Sequence, residues 1–332
     1  MPRAVRYLVL GAGAIGGAIG GRLYQHGRDV VLIAQGDHLR ALQERGLELR
    51  DPAGHVRLDV PAVGSAAQAG PRPGDVVLLT TKSQQSEEAL RALAAVAPAG
   101  TAVVCAQNGV ENERVALRRF ADVYGMRVIL AATHLEPGVV EISTSPVSGI
   151  LDLGRYPSGS DGLASAVVED LRAVGFDAEE SEHVMEHKYL KLLSNLTNAI
   201  EAACGTLEDP VASELASAAR REARACYEAA GIALADEVAE RERRRLRGPL
   251  QPAKGPVQAG GSSWQSLERG TGNIEADWLN GEIVLLGRLH GIATPVNERL
   301  RQVANEMARQ RRRPGSITPT ELAGGLIAQS RS

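Results

Sequence analysis

Lysine, asparagine and asparagine stand at positions 191, 195 and 198, inside KYLKLLSNLTNAI, a stretch otherwise rich in leucine, alanine and isoleucine. Residues four and seven apart share one face of a helix. The spacing therefore predicts a helix over 188–200 with Lys191, Asn195 and Asn198 in one line. Leu192, Leu193, Leu196, Ala199 and Ile200 fall opposite. A solvated face is usually built from Glu, Lys and Arg, which are good helix formers. Asparagine is a poor one, because its amide competes for the backbone. Two asparagines in register with a lysine point to a face turned toward something polar; an ordinary wet surface fits this helix alone equally well.

A second constellation lies near the start of the chain. VLGAGAIGG carries G-x-G-x-x-G at Gly11, Gly13 and Gly16, after an apolar run and at the opening of a predicted helix. That context makes the motif a dinucleotide loop. Gly11 permits the tight turn, Gly13 lets the backbone approach a pyrophosphate at the helix N-terminus, and Gly16 permits close helix–strand packing. Ala14 and Ile15 complete the cofactor-binding turn. An acidic residue at the end of the next strand would bind the ribose of NAD and repel a phosphate. The strand DVVLIAQ instead leads to Ala34, Gln35 and Gly36, with Asp37 close by. Gln35, His38 and Arg40 each offer a hydrogen bond to a 2′-phosphate, which permits NADP and leaves NAD open. Lys82 in TTKSQQ and Asn108 in AQNG follow two further predicted strands, at the strand ends where a doubly wound sheet binds ligands.

The elements that position these residues follow from periodicity. In the first half, continuous Val/Leu/Ile runs (RYLVL, DVVLI, DVVLL, TAVVC, RVILAA) alternate with amphipathic helices, the pattern of a parallel sheet covered on both faces. LELRDPAGHVRLDV reads as a hairpin, and GVVEISTS and GILDLG as antiparallel strands. After about residue 181 the strand signals stop. Helices are predicted over 188–200, 211–230 and 234–247, then from Glu275 and from Pro295, with a Pro/Gly-rich loop GPLQPAKGPVQAGGSS between them. The domains are therefore expected at 1–181 and 182–313, with a loose tail over 314–332. The basic runs ERERRRLRG and ARQRRR read as solvated helix faces.

The 332 residues carry 37 basic and 40 acidic side chains, a net charge of −3, which argues against nucleic acid or a membrane surface as partner. Aromatic residues make up only 3%, so the cores must be built from Ala, Val and Leu. Cys105, Cys204 and Cys226 are widely spaced and odd in number, which gives no disulfide framework and no metal site and fits a reducing cytoplasm. The glycines interrupt the N-terminal apolar stretch that would otherwise resemble a secretory signal.

Taken in order, GAGAIG, TTKSQQ, AQNG, KYLKLLSNLTNA and SSWQSLERGTGNIEADWLNGEIVLLGRLHGIATPVN resemble the ketopantoate reductase family (2-dehydropantoate 2-reductases) from Tyr7 to about Val303. The resemblance implies a Rossmann-type domain and an all-helical second domain of the 6-phosphogluconate dehydrogenase C-terminal type. It implies Lys191 as catalytic acid and Glu275 as its partner carboxylate. Asn195, Asn198 and Ser263 would bind substrate, and Lys82 and Asn108 would touch nicotinamide or substrate, with the Lys191 line facing the cleft between domains. NADP, a small 2-keto acid and a homodimer through the helical domain are the implied cofactor, substrate and partner. The residue types suit this chemistry: an ammonium stabilises charge growing on a ketone oxygen and then donates a proton. Three departures bear on specificity. Gln35 replaces the family's usual arginine. Ala199 replaces an asparagine, with Asn198 one residue early, and Ser266 and Leu267 stand where an aspartate is usual. Reduction of ketopantoate, of another carbonyl or hydroxy compound, or cofactor sensing without turnover are the three readings; the presence of both Lys191 and Glu275 speaks against the last.

Overall fold

In the computed structural model, which describes residues 5–245 and 260–326, strand β1 (Arg6–Leu10) sends Tyr7 and Val9 into one apolar cluster and Leu8 and Leu10 into another. Alternate residues of a strand point to opposite faces, so both faces of its sheet are covered. The chain continues through α1 (Ala14–Gln25), β2 (Asp29–Ile33), α2 (Gly36–Arg45), the hairpin β3 (Leu47–Asp51) and β4 (Gly54–Leu58), β5 (Ala62–Val63) and α3 (Ala66–Ala69). Next come β6 (Asp75–Leu79), α4 (Ser83–Ala94), β7 (Ala102–Cys105), α5 (Asn112–Leu117), β8 (Val123–Ile129) and β9 (Ala132–Thr133). Then follow β10 (Val139–Ile142), β11 (Ile150–Arg155) and α6 (Gly162–Ala173). Seven strands form one sheet in the order β11-β8-β7-β6-β1-β2-β5, parallel except for β11 against β8. The side of the sheet reached by Tyr7 and Val9 is covered by α1 and α6 through Ile19, Leu23, Val167 and Leu171, and the other side by α4 through Leu90 and Leu93.

The predicted hairpin is present, and β10 runs antiparallel to β9. These strands form a second sheet, β4-β3-β10-β9, in which β10 also pairs in parallel with β3. Leu47, Leu49, Val140 and Ile142 carry that sheet into the same cluster as Ile19 and Leu23 of α1. Register matters for the site. Leu10 lies opposite both Ile33 and Leu79, and Leu79 opposite Cys105, so β1, β2, β6 and β7 end at one level.

The helical part comprises α7 (Val184–Asn195), α8 (Asn198–Cys204), α9 (Pro210–Ala229), α10 (Glu237–Arg245), α11 (Ser262–Glu268), a 3-10 turn (Glu275–Trp278), α12 (Asn280–His290), α13 (Pro295–Arg309) and α14 (Pro319–Ala323). The fold is thus an α/β Rossmann-type sheet followed by helices. Two compact units result, but the division expected near residue 181 falls between Lys188 and Tyr189, inside α7, and the segment opening at Asp236 rejoins the first unit. The reason is charge. Glu240 of α10 pairs with Arg127 and His187, and Arg243 binds Asp152 at 2.8 Å, Asp177 at 2.9 Å and Glu179 at 3.0 Å. The run ERERRR is therefore not simply a solvated face: Glu240 is buried and Arg243 largely so.

The described part of the tail is also packed rather than loose. Thr318 and Glu321 form a reciprocal capping box on α14, Leu322 and Ala323 are buried, and Arg299 donates to the carbonyls of Glu321 and Leu322. The Pro/Gly-rich loop over 246–259 and residues 327–332 lie outside the described residues. No helix among the described residues is long and apolar enough to cross a membrane.

Candidate active site

The glycine loop joins β1 to α1 at the point where the sheet order reverses, with β2 on one side of β1 and β6 on the other. Gly11 has φ +109°, and a Cβ there would lie 2.7 Å from the Thr81 amide nitrogen; only glycine fits. A Cβ on Gly16 would lie 2.3 Å from the Gly11 carbonyl oxygen and 2.8 Å from a Val9 methyl, which confirms its packing reason. Gly13 differs, because nothing lies within 4 Å of its Cβ position. It caps α1 without any side-chain hydrogen bond, and Ala14 and Ile15 follow as the first helical residues. Amide groups at a helix start beside open space fit a pyrophosphate. Gln35 is the exposed N-cap residue of α2, at the end of β2, whose last carbonyl at Ile33 accepts from the amides of both Gly11 and Ala12.

His38 and Arg40 have other occupations. His38 Nε2 donates to the Ala12 carbonyl at 2.7 Å, and its Nδ1 accepts from the Gly138 amide at 3.0 Å. These partners fix a neutral tautomer, and burial pulls the imidazole below its usual range. His38 therefore braces the glycine loop with both ring nitrogens. Arg40 is exposed and pairs with Asp37 at 3.1 Å.

Lys82 precedes α4 at the end of β6, and Asn108 follows β7, so both occupy the level of the glycine loop. The two loops are bonded to each other through a residue the sequence did not single out. The Gln107 amide donates to the Thr81 carbonyl at 2.7 Å and to Ser86 Oγ at 2.8 Å. Thr80 Oγ1 in turn donates to the Gly11 carbonyl at 2.8 Å. The only sequence signal was the density of small polar residues in TTKSQQS and AQNGVEN.

In the second unit, Lys191 Nζ donates to Asn195 Oδ1 at 3.3 Å, the contact that i, i+4 spacing implies. Leu192, Leu193, Leu196, Ala199 and Ile200 are all buried. The single helix expected over 188–200 is broken at Leu196–Thr197. Asn280 Nδ2 donates to the Leu196 carbonyl at 3.1 Å and to Asn297 Oδ1 at 3.0 Å, and Asn297 is held by the Ala219 carbonyl and Glu222. The Leu193 and Ser194 carbonyls are likewise taken, by Arg220 and by Thr197 Oγ1; carbonyls taken by side chains are lost to the helix ladder, so α8 restarts at Asn198. Asn198 Nδ2 donates to Ser262 Oγ at 3.5 Å, next to Ser263, which is buried at the first turn of α11. Asn280 and Asn297 are therefore structural links. Glu275 is buried at the start of the 3-10 turn; burial lowers the nearby Arg269 guanidinium below its usual range, and the charge of Glu275 only partly offsets this.

Asp152, His187 and Glu240 bring three metal-ligand atoms within 4.8 Å of one another. Arg127 donates to both carboxylates, so its guanidinium serves as the cation of this cluster. Burial raises the Glu240 carboxyl, but hydrogen bonds from His187 and Arg127 outweigh it and bring the group down to about 2.

A Rossmann-type sheet with a glycine loop at its switch point, followed by helices that present a lysine–asparagine pair, defines a nicotinamide-dinucleotide oxidoreductase class. The family model described as "Ketopantoate reductase PanE/ApbA" matches residues 7–158, and "Ketopantoate reductase PanE/ApbA C terminal" matches residues 183–308. The 2-dehydropantoate 2-reductase of Pyrococcus horikoshii is 28% identical over 88% of this chain and 94% of its own length. The crystal structure of a PanE/ApbA family ketopantoate reductase from Ralstonia eutropha JMP134 is similar with a TM-score of 0.77 at 26% identity, covering 92% of this chain and 99% of that one. The ternary structure of D-mandelate dehydrogenase with NADH and anilino(oxo)acetate shares the fold, with a TM-score of 0.80 at 22% identity over 93% of this chain and 99% of that one. The chain belongs to the ketopantoate reductase family and is an NAD(P)-dependent oxidoreductase.

Proposed function

We propose that this chain reduces a small 2-keto acid to the 2-hydroxy acid with NADPH, ketopantoate to pantoate foremost, as a step of pantothenate biosynthesis. Family membership supports the reaction class, and the Lys191–Asn195 contact is the observation that carries the assignment of the acid. A dinucleotide bound here would supply the hydride. Gly11, Gly13, Ala14, Ile15 and Gly16 would hold its pyrophosphate, and Gln35 would meet the 2′-phosphate. Lys82 and Asn108 approach nicotinamide and substrate, and Asn195, Asn198 and Ser263 orient the keto acid. As charge grows on the ketone oxygen, the Lys191 ammonium stabilises it and donates the proton. Asn195 Oδ1, accepting from Nζ, keeps that ammonium on the substrate face. Glu275 serves as partner carboxylate, favouring the charged lysine.

A second reading, the same reduction on a substrate with a more apolar tail, is favoured by Ala199 and Leu267. Both are buried apolar groups where the family usually has polar ones. A buried hydroxyl left without its partner costs about 1–3 kcal/mol, or roughly one to two powers of ten in catalytic efficiency. Steady-state NADPH and NADH consumption with ketopantoate and with its analogue lacking the hydroxyl tests both readings. Turnover of ketopantoate is the result expected of the first reading, and a higher kcat/KM on the analogue is the result expected of the second. Ketopantoate ahead by roughly a hundredfold would remove the apolar-pocket reading. Tight NADPH binding without turnover of any 2-keto acid would make the chain a cofactor sensor. Leu285 and Leu289, exposed one turn apart on α12, support a homodimer through the helical unit.

A further inference from the structure

Lys188 opens the stretch that carries Lys191, yet it is only 3% exposed and has no part in the chemistry above. Its ammonium forms an ion pair with Glu113, which is 0% exposed. It also donates to the carbonyl of Gln107 at 3.0 Å and lies 3.4 Å from those of Cys105 and Met126. Cys105 ends β7, Met126 lies in β8, and Gln107 immediately precedes Asn108. All these groups belong to the first unit. Gln107 carries the connection on to Thr81 and Ser86, and Asn112, next to Glu113, donates to Ser83 Oγ at 3.1 Å. The ion pair is thus the root of a polar network that ends at two loops, those of Asn108 and Lys82.

Taking two charges out of water is costly, and apolar side chains of similar volume hold neighbouring elements at least as well. An apolar pair cannot fix a carbonyl. A lysine ammonium is a compact point with three donors, and here it sits among three carbonyls and one carboxylate. We propose that Lys188, with Glu113 as counter-ion, is a positioning residue. It holds the Gln107–Asn108 turn at the end of β7 so that the Asn108 amide meets its ligand in one fixed pose, which rests on the role given to Asn108 above.

The test is the double variant Lys188→Met/Glu113→Gln, which removes both charges with little change of volume and strands neither. Its melting temperature, kcat/KM and amide hydrogen exchange over residues 105–110 are measured with and without Asn108→Ala. The expected result is a folded protein with faster exchange in that segment and kcat/KM lower by at least about tenfold, since small misplacements are costly in catalysis. In the Asn108→Ala background the loss should shrink to below about threefold, because residues acting through one group are not additive. A folded double variant with parental kcat/KM and exchange overturns the proposal, as does an undiminished loss beside Asn108→Ala. Should the double variant not fold, Lys188→Arg keeps the charge and its partner, but a planar fork cannot serve three carbonyls around one point. The same loss and the same non-additivity are expected of it, and parental kinetics overturn the proposal. If the parent reduces no 2-keto acid, the functional reading falls, and exchange over 105–110 alone decides the positioning role. Faster exchange confined to that segment upholds the role, and unchanged exchange overturns it.

Discussion

Gly13 and Gly16 belong to one motif but should fail in opposite ways when given a methyl group. At Gly13 no protein atom lies within 4 Å of the new Cβ, and φ of −71° suits any residue. Two small terms compete: alanine is a poorer N-cap than glycine, by up to about 1 kcal/mol, while the stiffer unfolded chain returns about 0.4–1 kcal/mol. Stability should therefore stay within about 1 kcal/mol of the parent, a change of a few degrees in melting temperature at most. The methyl group would instead project into the space where a pyrophosphate must approach the α1 amides. Crowding of that kind costs about 1–3 kcal/mol, or roughly fivefold to just over a hundredfold in NADPH affinity. At Gly16 the methyl group meets the Gly11 carbonyl at 2.3 Å and Thr80 Oγ1 at 2.5 Å. Overpacking should lower stability by about 1–3 kcal/mol and distort the loop as well. Differential scanning fluorimetry and NADPH titration by protein fluorescence separate the two outcomes. Parental NADPH affinity in a stable Gly13→Ala protein would refute the placement of the pyrophosphate at this helix start. A large loss of stability in the same variant would refute the claim that the space beside Gly13 is open.

Lys191→Ala should lower kcat by roughly 10²–10⁴-fold, the usual range for a general acid, while NADPH affinity stays parental; near-normal turnover would remove Lys191 from the mechanism. Gln35→Arg should tighten NADPH and leave NADH nearly unchanged, because a guanidinium binds phosphate as an amide cannot; equal effects on both cofactors would show that Gln35 does not face the 2′-phosphate. Glu240 lies low in the folded protein, at about 2, so the stability it lends is present above its unfolded value near 4.3 and is lost as pH falls through about 2. That contribution is on the order of 3 kcal/mol. Glu240→Gln should therefore melt lower than the parent at pH 7, with the gap closing between about pH 4.5 and 2; a gap of constant size down to pH 2 would show that the pairing of Glu240 with His187 and Arg127 adds nothing.

The sequence by itself determined what depends on near neighbours along the chain. Period-two and period-3.6 patterns placed the strands and helices, because burial on one or both faces dictates residue type at fixed spacing. The glycine loop was legible because G-x-G-x-x-G between an apolar run and a helix is a local pattern, although the atoms that exclude a side chain at Gly11 belong to Thr80 and Thr81. Lys191 and Asn195 were legible as a pair because four residues make one helical turn. Tertiary structure decided the rest. The helix over 188–200 breaks because Asn280, 84 residues from Leu196, takes a carbonyl. The segment from Asp236 returns to the first unit because Glu240 finds Arg127, 113 residues away. His38, a plausible phosphate ligand by position, is spent on Ala12 and on Gly138, 100 residues distant. Lys188 pairs with Glu113 rather than with water. With 37 basic and 40 acidic residues in the chain, sequence alone cannot say which charges meet. A polar side chain takes the same letter whether it is solvated or buried against a partner, and only the folded chain brings the partner within reach.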